Sequence, residues 1–394
     1  MTINRVLKDD NLLQYTEKEF IEDMKILVAI DSFKGSVTSP ELNTSVAQAL
    51  LSVDKQLVIE TRAIADGGEG SLVALSQTVA GRWHQVKTID LLRRPIKVAY
   101  YRHAKQAFIE SASIIGIDKI TSNSVTYAQA TSYGLGLAVK DAIQKGATQI
   151  EIMLGGTGTS DGGKGFLESL NYDFMTGRSY LDTLASPVTL LGLTDVTNPY
   201  HGPQGFAAVF GPQKGGSLSQ IEETDQIASN FAKKVFCQTT IDLQTIPGSG
   251  AAGGLGGAIV LLGGAIVLLG GAIVLLGGTL TSGFSRIAEL LNLDNSLQSC
   301  DLVITGEGCL DTQSQSGKVP VAIARMAKKY QVPTIALCGS VKIETGLAAE
   351  DFLAVFSIQQ QPISLEAAID KTTTLSNIKI LAANLMLLIA QFNK

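Results

Sequence analysis

The chain has 394 residues, 45% of them hydrophobic and 17% charged, which is ample for more than one packed core and excludes an intrinsically disordered polymer. Thirty-one basic against thirty-six acidic side chains leave a net charge of −5, without the basic footprint of a nucleic-acid binder. The four cysteines form no CxxC pair and the three histidines no HExxH spacing, so no zinc site is expected and a reduced, cytoplasmic protein is.

Residues 1–23 carry three basic and six acidic side chains and no continuous apolar run, so they read as an N-terminal extension rather than a secretory signal. Lys25–Ile30 (KILVAI) is a short apolar run of the kind buried on both faces of a parallel sheet. It ends at Asp31 and the loop Ser32–Val37. Thr38 to Glu41 then has capping-box spacing with Pro40 in the first turn, and Leu42, Val46, Ala49 and Leu50 recur on one helical face. A second strand, Leu57–Ile64, runs into the glycine loop Ala65–Gly70. Pro95–Glu110 has the partial alternation of a hairpin. Leu135, Val139, Ala142 and Ile143 predict a helix ending near Gly146, and Ile150–Leu154 a strand that enters the glycine-rich stretch 155–165. Pro187–Val196 and Gly205–Phe210 read as strands. Towards the C-terminus, Asp301–Thr305, Pro333–Cys338 and Phe352–Ile358 are strands, Pro320–Tyr330 a helix and Ile378–Phe392 a closing helix. Alternating strands and helices at both ends predict an α/β fold with a parallel sheet. The grammar fits one sheet domain split by an inserted α/β region, or two domains in series.

One segment is repetitive. GGAIVLL occurs three times in tandem, at Gly256–Leu262, Gly263–Leu269 and Gly270–Leu276, and no charged residue lies between Asp242 and Arg286. A bilayer span is the sharp reading of so long an apolar stretch, but a glycine pair every seven residues weakens helix propensity by about 1 kcal/mol per glycine. A buried helix, or its connecting loop, lengthened by whole units is the preferred reading. Seven residues are nearly two helical turns, which keeps the buried face.

Two stretches match nucleotide motifs incompletely. Gly158–Gly165 fits GxxxxGK, with glycine where the P-loop needs serine or threonine. Gly248–Gly253 fits GxGxxG, without a clear preceding strand and without an acidic residue about twenty positions on. The collective pattern is more informative. Asp66, Glu69, Asp161, Glu307 and Asp311 sit in or beside glycine-rich turns, several directly after apolar strands, where open α/β sheets bind ligands. Such turns cradle phosphate oxygens with their amides, and carboxylates there bring magnesium or deprotonate a hydroxyl. Lys34 (in SFKGS) and Lys214 (in GPQKGG) supply positive charge for phosphate. The set suits phosphoryl transfer, where catalysis is mostly positioning and charge stabilisation. Asp195 and Asn198, in TDVTNP, are candidates for a metal or a substrate hydroxyl. Arg94 is a candidate clamp for a carboxylate. The histidines sit in no constellation.

With these loops in view, the chain resembles the bacterial glycerate kinases of glycolate and glucarate catabolism. SFKGS (32–36), ADGGEG (65–70), GGTGTSDGG (155–163), TDVTNP (194–199), FGPQKGG (210–216), PGSGAAGG (247–254) and DLVITGEGCLD (301–311) carry the resemblance, in order, from Met24 almost to the end. It implies two α/β domains: a parallel, Rossmann-like one formed by residues 24–88 and 290–394, and a second inserted at 89–289. It further implies ATP-dependent phosphorylation of D-glycerate, typically to 2-phosphoglycerate, with glycerate 3-kinase activity as the alternative. Two departures stand out: Ser160 replaces a more usual asparagine, and Cys309 a residue often basic.

Residue roles are read from the chemistry. In direct in-line transfer without a phosphoenzyme, Asp195 is the first choice of general base and Asp161 the second. Lys34 stabilises the transferring group. Ser32, Lys34, Gly67, Gly68, Gly155, Gly156, Thr157, Gly248, Ser249, Gly250 and Lys214 contact nucleotide or phosphate, and Arg94 and Asn198 the substrate. Asp66, Glu69, Glu307 and Asp311 take Mg2+ or its waters. The expected partner is D-glycerate, with neither nucleic acid nor membrane and with room for a homodimer. The rivals are an NAD-dependent hydroxy-acid oxidoreductase, drawn from GSGAAG, and a non-catalytic membrane-associated protein, drawn from the apolar repeat.

Overall fold

The computed structural model describes residues 24–65, 70–268, 273–274, 288–311, 319–342 and 350–392. Fourteen strands are described: β1 Lys25–Ile30, β2 Val58–Thr61, β3 Arg82–Ile89, β4 Pro95–His103, β5 Gln106–Glu110, β6 Gln149–Met153, β7 Thr189–Thr194, β8 Ala265–Leu268, β9 Ile273–Val274, β10 Leu302–Gly306, β11 Cys309–Leu310, β12 Thr334–Cys338, β13 Ser340–Val341 and β14 Ala354–Ser357. Together with the intervening helices they make an α/β fold built on two large sheets.

The first sheet has the order β14-β12-β10-β1-β2 and is parallel throughout. Its strands come from both ends of the chain, and the order reverses between β1 and β10. In open α/β sheets that switch point opens a crevice beyond the carboxyl ends of the strands. Lys25–Ile30 is buried at every position after the first because helices cover both faces. On one face the helix Ser39–Val53, with the anticipated capping box at Thr38 and Glu41, lies against the C-terminal helix Lys371–Phe392. Asn43 ties the sheet together: its Oδ1 accepts from the Ile30 amide at 2.9 Å and its Nδ2 donates to the Arg62 carbonyl at 2.8 Å.

The second sheet runs β3-β4-β5-β6-β7-β8-β9, parallel from β5 to β8 and antiparallel at both margins. β3 belongs here, paired with β4 along its length, so the residues up to 88 are not all with the first sheet. A shared core joins the two sheets: Leu27, Ala29 and Val303 on one side meet Tyr101, Phe108, Met153 and Leu193 on the other, with Leu72 and Leu75 among them.

Two sequence readings are corrected. Gly205–Phe210 is not a strand; Phe206–Phe210 is a helix that buries Phe206 and Ala207. The GGAIVLL units do not lengthen a helix. The first finishes the helix Ala251–Leu261, whereas the second forms β8 beside β7 and the third supplies β9. Gly263, at φ +74°, stops the helix, with its amide and that of Gly264 donating to the Val260 and Ile259 carbonyls. The β-branched Ile-Val pair of the next unit then enters the sheet. The glycine pair in the first unit serves another purpose: a Cβ at Gly256 would lie 2.2 Å from the Gly248 carbonyl and one at Gly257 would lie 2.7 Å from the Tyr200 ring. Among the described helices, Lys371–Gln391 is long and apolar enough to cross a membrane, but Ile378, Ala382, Leu385 and Met386 on it are buried in the first sheet's core.

Candidate active site

The loops after β1, β10 and β12 close on one another. β1 delivers Asp31, whose amide donates to the Gly306 carbonyl at 2.9 Å. Phe33 and Val37 then exchange backbone hydrogen bonds, with Gly35 at φ +76°, and this tight loop holds Lys34 out at its tip. The Gly339 amide donates to the Glu307 carbonyl and the Ser340 amide to the Gly308 carbonyl, so the loops after β10 and β12 are zipped together as the short β11–β13 ladder. Ser36 and Thr374 share a hydroxyl hydrogen bond at 2.9 Å, which fixes the β1 loop to the C-terminal helix.

These loops surround a cavity of about 800 Å³ at the switch point. Ser32, Lys34, Ser340 and Lys342 line it beside the carboxylates Asp31, Asp195, Glu307 and Asp311. Its far wall is apolar, made by Ile358, Ile363, Leu365, Ala368 and Ile369. A smaller cavity of about 290 Å³ lies at the carboxyl ends of β6 and β7, lined by Gly155, Gly156, Thr157, Thr194, Asp195, Gln213 and Lys214 among others. Asp195, the first residue beyond β7, lines both. One carboxylate therefore stands where a large pocket and a small one meet.

Lys214 is the unusual charge in the smaller cavity. It is only 3% exposed, and its Nζ donates to the Thr159 carbonyl at 2.6 Å. Burial pulls its ammonium down from the ordinary 10.5 to about 8, against a smaller opposing pull from Asp161. A run of left-handed backbone at Ala252, Gly253 and Gly254 packs against the loop that supplies Thr159.

Other expected site residues have other positions. Asp161 accepts from the Ser132 amide at 2.7 Å, the Ser132 hydroxyl at 2.9 Å, the Thr131 hydroxyl at 3.3 Å, and the Gly163 and Gly165 amides, both at 3.1 Å. Both of its oxygens are engaged by donors of the glycine loop and of the segment before Tyr133. Arg94 pairs with Asp90 at 2.5 Å and lines a separate surface cleft with Asp118 and Asn123. Asn198 donates to the Gln204 carbonyl at 2.8 Å, and its own carbonyl accepts from the Gly250 amide. The Ser249 hydroxyl is buried and donates to the Leu243 carbonyl, so Gly248–Gly250 braces the neighbouring loop instead of lining either cavity. No strand precedes GSGAAG, which leaves the dinucleotide fingerprint without its structural context. Asp66, Gly67, Gly68 and Glu69 lie outside the described residues.

The oxygen-only donor set of Asp31, Asp195, Glu307 and Asp311 is of the hard type that magnesium prefers. Among the described residues no three potential ligands gather closely enough to hold a metal by themselves.

Sequence reasoning passed over Asp31, the apolar wall from Ile358 to Ile369, Lys342 and Gln213. Asp31 carried a readable signal, an acidic residue directly after a buried strand. The apolar wall carried none, because its members are ordinary core residues in any one-dimensional view.

An α/β fold with cavities at strand ends and a carboxylate that lines two of them is an architecture suited to an enzyme acting on small molecules. Residues 26–390 match the model of the glycerate kinase family, and the chain belongs to that family. It is 32% identical over 358 residues to glycerate 2-kinase of Escherichia coli K12, covering 85% of this chain and 90% of that one. It is 30% identical to a glycerate kinase of Bacillus cereus, with 88% and 93% covered. A solved Salmonella typhimurium LT2 chain bearing the name glycerate kinase 2 superposes with a TM-score of 0.73 at 31% identity, covering 94% of this chain and 99% of that one. The enzyme is thus a kinase, and the oxidoreductase reading finds no support.

Proposed function

We propose that this kinase transfers the γ-phosphate of ATP to D-glycerate and forms 2-phosphoglycerate. The observation that carries the reading is the position of Asp195 on the shared wall of the two cavities. The larger cavity has the size and the apolar far wall for a nucleotide, and the smaller one has room for a three-carbon acid. The acceptor hydroxyl then points at Asp195 from one side while the terminal phosphate arrives from the other. Asp195 takes the hydroxyl proton as the oxygen–phosphorus bond forms and the bond to the departing ADP breaks. Lys34, at the tip of its loop, neutralises charge on the transferring group. Glu307 and Asp311 would hold magnesium or its waters, and the ion would offset phosphate charge. In this reading residues 24–81 and 290–394 form chiefly the nucleotide-binding unit and 82–289 the acceptor-binding unit, the boundary expected at 88 lying ahead of β3 instead.

ADP release with Mg·ATP and D-glycerate tests the proposal, with L-glycerate and hydroxypyruvate as controls. Release with D-glycerate alone is expected, and phosphorus NMR of the product should show the phosphate on the C2 oxygen. A phosphate on C3 makes the enzyme a 3-kinase. No release from folded protein defeats the proposal.

A further inference from the structure

We infer that Lys214 recognises the carboxylate of the acceptor, so that the acceptor binds by its acid end at Lys214 and offers its hydroxyl to Asp195. The inference rests on the reading of the smaller cavity as the acceptor site. Lys214 is fully enclosed, yet among the described residues its ammonium has one hydrogen-bond acceptor, the neutral Thr159 carbonyl. An ammonium has three N–H donors, and a buried one left with a single neutral partner is a costly arrangement unless an anion completes it. The cavity it lines has space for about ten waters at roughly 30 Å³ each, which is a small acid and not a nucleotide.

Chemistry and position agree on which anion. The phosphates of a nucleotide in the larger cavity have Lys34 and Lys342 on their own walls. Of the two cavities Lys214 lines the smaller, where Gly155 and Gly156 leave room by having no side chain. The charged group that acts on the ammonium is Asp161, across the glycine loop, while Asp195 lines the same cavity. Asp161 is saturated by its own donors, so it steadies the charge without filling the gap. A carboxylate at Lys214 also keeps the acid's negative charge away from the incoming triphosphate, which an unanchored acid would not do.

The test is direct binding of D-glycerate to the full chain by calorimetry without nucleotide, with glycerol as the uncharged control. The wild type should bind D-glycerate at least about 100-fold more tightly than glycerol, and K214M should lose that preference while keeping its affinity for ATP. Unchanged preference in K214M, or a loss of ATP affinity in place of acid affinity, overturns the inference. So does an absence of D-glycerate binding by the wild type. Binding without ADP release instead defeats the proposed reaction and leaves the carboxylate site standing. Should K214M fail to fold, the wild type decides: its D-glycerate affinity should fall steadily as pH is raised from 7 to 10, and a flat profile overturns the inference.

Discussion

The amide of Gly162 donates to the carbonyl of Gly253 at 2.9 Å, and this single bond joins the two glycine-rich loops of the second sheet. Gly253 has φ +70°, and a Cβ on it would lie 2.0 Å from the Thr159 carbonyl, the same oxygen that holds Lys214. Gly253→Ala should therefore cost about 2 kcal/mol or more in urea unfolding, from left-handed strain and the clash together. It should also lower kcat/KM for D-glycerate more than for ATP. A variant with wild-type stability and kinetics would show that this close approach is not needed.

Asp195 stands between the cavities, so its loss should affect the chemical step before it affects binding. Asp195→Asn keeps the shape and removes the base. Turnover should fall roughly 100-fold or more, since general-base assistance typically contributes 10² to 10⁴. Both KM values should stay within a few-fold. A kcat close to wild type would remove Asp195 from the reaction.

Lys214 carries a stability cost that pH exposes. Its native ammonium titrates near 8 and its unfolded one near 10.5. Below about pH 8 both states hold the proton, and the native state bears the whole desolvation cost, roughly 3 kcal/mol at 1.36 kcal/mol per pH unit. Between 8 and 10.5 the unfolded chain holds more protons, so the native state gains stability as pH rises through that window. Ligand-free K214M should accordingly be more stable than the wild type at pH 7, with the difference closing towards pH 10.5. Urea midpoints at several pH values measure it, and a less stable K214M at pH 7 would contradict the assignment.

Cys309 lines the larger cavity and is partly exposed, whereas Cys300 and Cys338 are buried, with burial pushing their thiols up to about 11 and about 12. Cys237, exposed on the helix Leu218–Thr239, lies away from both cavities. Maleimide should label Cys237 and Cys309 readily and inactivate the enzyme only through Cys309. ATP should slow that inactivation at least several-fold, while D-glycerate alone should not. Equal inactivation of Cys309→Ser would place the sensitive group elsewhere.

How much of this was legible in the chain depended on range. KILVAI and DLVIT announced themselves as buried parallel strands because each is a short apolar run closed by an acidic or glycine-rich turn. The donors to Asp161 at Thr131 and Ser132 were not legible, because they lie some thirty residues upstream and meet it only after folding. The wall formed by Ile358, Ile363 and Leu365 was invisible, since apolar residues in a loop and a short helix do not reveal that they border a cavity. Phe206–Phe210 misled because five apolar residues are too few to separate a period of 3.6 from one of 2.

The heptapeptide repeat has a consequence for heredity. The sheet position beside β7 is filled by AIVL from the second unit, and the third unit presents the same letters seven residues later. Sliding the chain by one whole unit would put identical side chains at every β8 position, although seven is odd and an arbitrary seven-residue shift would turn a strand inside out. Deleting a single GGAIVLL should thus leave β8 intact and stability within about 1 kcal/mol, at the cost of the two-residue strand β9. Copying errors that drop one unit would leave β8 in place, and related strains should carry alleles of this gene with two units or three while encoding the same active enzyme.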